Sequence, residues 1–82
     1  MSKVTVFTKN GCPQCVGAKM LLSSKGIPFE EINVSLDEDD RERALSYGLM
    51  GAPIIVAEGT SVPPFAGFNP EKIKQIITEL ED

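Results

Sequence analysis

Apolar positions along the chain fall into two rhythms. Short β-branched runs alternate with longer stretches in which apolar residues recur every three or four positions. Lys3 to Thr8, KVTVFT, is of the first kind and predicts a strand. After the polar turn KNG, Val16, Met20 and Leu21 fall at helical spacing between Pro13 and Lys25, with Ala18 and Leu22 widening the stripe. Pro13 suits a first helical turn, where its missing N–H has no intrahelical partner, and Gly26 is a stop. Pro28 to Val34 alternates imperfectly and predicts a second strand. A second helix is expected from Asp37 to Tyr47, ending at Gly48, with Leu45 and Leu49 facing the core and Ala44 packed beside them.

The remainder reads as a hairpin and a helix. Ile54 to Ala57 is a short apolar strand, Glu58–Gly59 a tight turn, and Thr60 to Val62 the return strand. Pro63 and Pro64 limit further pairing, which places that return strand at a sheet edge. Asn69 is a suitable N-cap for a last helix that opens with Pro70 and Glu71. Its apolar face is Ile73, Ile76, Ile77 and Leu80. The order β-α-β-α-β-β-α joins a parallel βαβ unit to a hairpin plus helix. One α/β domain over residues 1–82 satisfies both halves, built as a four-stranded mixed sheet flanked by three helices.

Length and charge narrow the functions available. A chain of 82 residues buries only about 60–65% of its unfolded surface, which leaves little room for a large enclosed cavity. Net charge is −4, there is no His, and the eight Lys and Arg are scattered. Nucleic acid is therefore not an expected partner, since its binders carry a basic face. The acidic run Asp37–Glu42 reads as a solvated helix start. The N-terminus lacks the apolar region and cleavage site of a signal peptide. No apolar run approaches the ~20 residues that cross a bilayer. A cytoplasmic protein with no membrane partner is the expectation, and two cysteines are too few for a disulfide-dense secreted scaffold.

Those two cysteines sit in Thr8 to Leu21, TKNGCPQCVGAKML. A structural zinc site needs four ligands, usually Cys or His, so this chain alone cannot complete one, although a second copy could share it. A structural disulfide across two intervening residues closes a very short loop and removes little denatured-state entropy. Position favours a redox pair, because the motif follows a strand and opens a helix within a βαβ unit. Cys12 at the helix N-terminus meets unpaired amides and the positive end of the macrodipole. That setting lowers a thiol's pKa by roughly one to several units. Cys15, one turn on, is expected to be more buried. Cys12 then attacks a partner's disulfide and Cys15 resolves the mixed disulfide. Lys9 could set a cation beside the thiolate or beside an anionic group of the partner, Gly11 suits a tight turn, and Gly17 allows close packing.

VFTKNGCPQC, then GAPIIV, then FAGFNP resemble the glutaredoxin-like proteins of the thioredoxin fold along essentially the whole chain. Within them the chain is most similar to the NrdH-type redoxins. The resemblance implies that Pro53 is the fold's cis-proline facing the cysteines and that the backbone of Ala52 pairs with an extended substrate chain. Glutathione-using members usually carry Thr-Val-Pro and Gly-Gly-x-Asp, where this chain has GAP and AGFNPEK. NrdH-type proteins typically carry Trp-Ser-Gly-Phe-Arg-Pro-Asp. Here Gly67, Phe68 and Pro70 match and Glu71 is conservative, while Phe65 and Asn69 replace the Trp and the Arg. Phe65 keeps an aromatic surface and lacks the indole N–H. Pro13 tilts toward glutaredoxins, and Gln14 toward the NrdH type.

The resemblance further implies a partner-binding rim of Ala52, Phe65, Gly67 and Phe68, with Pro13, Gln14, Lys9 and Pro53 supporting the cysteines; the competing reading of Phe65 and Phe68 is core, where an aromatic near a strand end most often lies. The implied protein is a monomeric dithiol reductant of protein disulfides, a ribonucleotide reductase of class Ib among them. No bound cofactor is implied. The redox group is the Cys12–Cys15 disulfide, and electrons arrive from NADPH indirectly through thioredoxin reductase. Glutathione as reductant, or a metal or iron–sulfur cluster on the cysteines, are the competing expectations.

Overall fold

A computed structural model describes residues 3–49 and 51–81 of the chain; residues 1, 2, 50 and 82 of the expected domain lie outside them. The elements are β1 (Lys3–Thr8), α1 (Pro13–Ser24), β2 (Glu30–Asn33), α2 (Glu38–Leu45), β3 (Ile54–Glu58), β4 (Phe65–Ala66) and α3 (Pro70–Leu80). They form one four-stranded sheet in the order β2-β1-β3-β4. β1 pairs parallel with β2 and antiparallel with β3, and β3 pairs antiparallel with β4. This is the mixed-sheet thioredoxin architecture.

Strand periodicity divides the interior in two. Successive strand side chains point to opposite faces. Val4 and Val6 on β1 and Ile55 and Ala57 on β3 therefore share one side, packed with Ala18 and Leu22 of α1 and Ile73, Ile76 and Ile77 of α3. Phe7, Ile54 and Val56 take the other side with Ile32 and Ala44 of α2. Both faces are covered, which is why β1 and β3 read as apolar runs. Leu22, Ile55, Ile73 and Ile76 are fully buried, each worth roughly 1.5–3 kcal/mol of transfer free energy.

Three expectations need correction. The strand after β3 is not Thr60–Val62. The Thr60 Oγ1 donates to the Ala57 carbonyl at 2.8 Å and accepts from the Val62 amide at 3.2 Å, which folds this segment into a turn. Pairing resumes only after the two prolines, at Phe65 and Ala66. In α1 the buried residues are Cys15, Ala18 and Leu22, whereas Val16 and Met20 are 51% and 66% exposed. In α2 only Ala44 is buried and Leu45 is 55% exposed, because an eight-residue helix turns little more than one side chain fully inward.

Candidate active site

The β1–α1 connection carries the reactive pair. Gly11 has φ +67°, a backbone conformation that glycine adopts without Cβ strain, and it turns the chain into α1. Cys12 is the N-cap, with extended backbone, and Pro13 occupies the first turn. Cys12 and Cys15 are joined in a disulfide with Cα atoms 5.3 Å apart. The Cys15 amide donates to the Cys12 Sγ at 3.1 Å. An N–H thus already points at the sulfur that becomes anionic when the disulfide opens. Cys12 is half-buried and Cys15 is 2% exposed. Only the first sulfur is accessible to a large partner.

Side-chain hydrogen bonds brace this loop. Asn33 donates through Nδ2 to the Asn10 Oδ1 at 3.0 Å, and the Asn10 amide donates to the Ser35 Oγ at 3.1 Å. Below it, Thr8 is 2% exposed and donates to the Glu31 carboxylate at 3.0 Å. Lys19 Nζ reaches the same Oε2 at 2.9 Å. The Lys19 hydrogen bond chiefly holds the Glu31 carboxyl below the usual carboxylate range; burial opposes it, and the Thr8 hydroxyl and the Lys19 charge add to the lowering.

A second wall comes from the far end of the chain. The Ala52–Pro53 peptide is cis, and Pro53 is fully buried. Its carbonyl accepts from the Gly67 amide at 2.8 Å. Gly67 has φ +89°, which an L side chain would strain. The adjoining Phe68 amide donates to the Gln14 Oε1 at 3.1 Å. The Phe68 ring lies 3.6–3.7 Å from where a Cβ on Gly17 would stand, and it is 40% exposed. Residues 53, 67, 68 and 14 thus form one connected edge beside the cysteine turn.

Phe65 does not belong to that edge. It is 4% exposed within the α1/α3 core, with Lys72 Nζ 5.2 Å above its ring. Of the two phenylalanines expected at the rim, Phe68 is the one that offers aromatic surface. Asn69 caps α3, its Oδ1 accepting from the Lys72 amide at 3.2 Å.

Beside Ala52 lies an open depression of about 240 Å³, floored by Phe7, Ala44 and Ile54 and edged by Lys9 and Arg41. Arg41 carries no motif in the sequence. Its signal was faint, one of two arginines inside an acidic helix start. Among the described residues, no group of three or more His, Cys, Asp or Glu side chains is placed to hold a metal ion. None of the helices described is long and apolar enough to cross a membrane.

Comparison with known proteins agrees with this geometry. The family model for glutaredoxin matches residues 4–62. The glutaredoxin-like protein NrdH of Lactococcus lactis is 34% identical over 73 residues, covering 89% of this chain and 97% of the relative. Among solved structures, a thioredoxin-like protein superposes with a TM-score of 0.81 at 35% identity, covering 90% of this chain and 99% of that one. The NrdH-redoxin of Escherichia coli, described as having a thioredoxin-like activity profile, gives 0.78 at 29% identity, covering 88% and 91%.

Proposed function

The chain belongs to the glutaredoxin family, as a thiol–disulfide oxidoreductase of the NrdH-like type, and we propose that it serves as a dithiol donor to protein disulfides. The observation that carries this reading is the asymmetric pair: Cys12 accessible at a helix N-terminus, Cys15 buried one turn behind it. In the reduced protein the Cys12 thiolate attacks one sulfur of a target disulfide and displaces the other as a thiolate. Cys15, deprotonated, then attacks Cys12 and releases the second target thiol. Two electrons leave the protein, the target becomes a dithiol, and Cys12 and Cys15 end joined as they are here.

The physiological target in this reading is a ribonucleotide reductase of class Ib, and the oxidised pair is restored by thioredoxin reductase with electrons from NADPH. The target rests on the resemblance to NrdH-type redoxins, and the thioredoxin-like activity profile of the Escherichia coli protein favours a thioredoxin-type reductant. The reading places the protein, as a monomer, in the reducing cytoplasm, and the disulfide is its only redox group.

A second reading has one observation in its favour. Lys9 and Arg41 edge the depression beside Ala52, where a small thiol with free carboxylates, such as glutathione, would find two cations. At about 240 Å³ the depression falls below the ~300–1,000 Å³ of usual ligand pockets, so the fit favours a chain laid across it over an enclosed tripeptide. NADPH consumption by the oxidised protein separates the readings. One mixture contains thioredoxin reductase; the other contains glutathione and glutathione reductase. Turnover confined to the first is expected. Turnover confined to the second makes the protein a glutathione-dependent glutaredoxin.

A further inference from the structure

Gln14 lies between the two cysteines, yet its polar end is committed elsewhere. Its carboxamide oxygen accepts from the Phe68 amide across 54 residues of sequence, at 3.1 Å. The same oxygen stands 3.6 Å from where a Cβ on Gly67 would be. Gly67 is held from its other side by the Pro53 carbonyl at 2.8 Å. The Phe68 ring then lies against α1 at Gly17, one turn beyond Gln14, and stays 40% exposed. The Gly67–Phe68 segment is thus tied at one end to the cis-proline and at the other to the cysteine turn.

We propose that Gln14 is a positioning residue for partner recognition: it latches the Gly67–Phe68 segment to the cysteine turn and so presents the Phe68 ring, seated against Gly17 of α1, to the polypeptide that carries the target disulfide. The inference rests on the reading of this protein as a reductant of protein disulfides. Reach and chemistry both matter. The side chain at this position must extend to the Phe68 amide and end in an acceptor. Glutamate meets both conditions, and methionine, of similar length, supplies only a weak sulfur acceptor. An exposed aromatic seated against the helix that the reactive cysteine caps is a suitable anchor for an apolar side chain of a partner, provided that its backbone is held still.

The test uses the full chain with insulin as the protein disulfide. Gln14→Met, Gln14→Glu, Phe68→Ala and the double variant Gln14→Met/Phe68→Ala are compared. Hydrogen exchange at the Phe68 amide is followed by NMR in the two single Gln14 variants. Gln14→Met is expected to speed that exchange and to raise KM for insulin roughly three- to tenfold, the effect of one lost hydrogen bond, with kcat nearly kept. Gln14→Glu retains slow exchange and near-parental KM. In the Phe68→Ala background the further change caused by Gln14→Met falls below about twofold, because residues acting through one another are not additive. Unchanged exchange in Gln14→Met overturns the latch. Faster exchange with a KM effect that persists in full without the ring overturns the role in recognition. If the parental protein reduces no insulin, the functional reading fails and the recognition role with it, while Phe68 exchange still reports separately whether the latch exists.

Discussion

Gly17→Ala should stabilise the protein, and the magnitude follows from two contributions. Gly17 lies in the interior of α1, where glycine costs about 0.8–1.0 kcal/mol relative to alanine. The added Cβ would meet three carbons of the Phe68 ring at 3.6, 3.7 and 3.7 Å. These are ordinary van der Waals separations, each worth about 0.1–0.2 kcal/mol of attraction, so the ring keeps its seat. The sum is a gain of about 1.1–1.6 kcal/mol, or a rise in Tm of roughly 4–12 °C for a domain of this size. Urea unfolding of the oxidised protein measures it as a higher midpoint at unchanged slope. KM for insulin should stay within about twofold, since Phe68 remains where it is. A lower midpoint would refute the reasoning. It would mean that ring and helix approach more closely than these distances, and that Gly17 is required for the contact instead of merely permitting it.

Other perturbations probe the chemistry and the core. Cys12→Ser should abolish turnover, whereas Cys15→Ser should trap a mixed disulfide with the target, visible as a reducible adduct on a non-reducing gel; full activity in Cys15→Ser would exclude the two-cysteine mechanism. Ile73→Ala removes most of a side chain with no exposed surface and should cost about 2–5 kcal/mol, read from urea midpoints. Glu31 tests the pH dependence. Its folded carboxyl titrates below the usual range because Lys19 and Thr8 hold it charged. Its stabilisation is therefore complete above the unfolded carboxylate pKa and is lost as pH falls through the lower folded value. The stability difference between the parental protein and Glu31→Gln should accordingly shrink on acidification. It should be small even at neutral pH, since the ion pair is partly exposed at 29% and 39%; a difference that grows with acid would refute the assignment.

What the sequence disclosed about this fold depended on whether a signal was local. Caps and stops are local. Asn69, Pro13 and Gly26 mark helix ends through their own chemistry, and the structure places the ends there within a residue or two. The cysteine pair is local too, as is the order of its elements. Partners that meet only through folding left no such trace. Gln14 and Phe68 lie 54 residues apart, and nothing in either neighbourhood announces the contact. The β4 strand was misplaced because a threonine hydroxyl competes with the ladder for the Ala57 carbonyl, and strand propensity does not register such competition.

The error in α1 is the more instructive. Counting aliphatic residues selects Val16 and Met20 for the core, but closeness of approach decided otherwise. Ala18, with no exposed surface, and Cys15, at 2%, are the small residues through which α1 packs inward, and Leu22 completes that stripe. Packing the redox cysteine inward turns the helix so that Val16 and Met20 face outward on the element that Cys12 caps. A helix that must bury one cysteine and expose the other cannot also bury every apolar residue between its ends. The residues that looked most like core lie, for that reason, on the exposed side of α1.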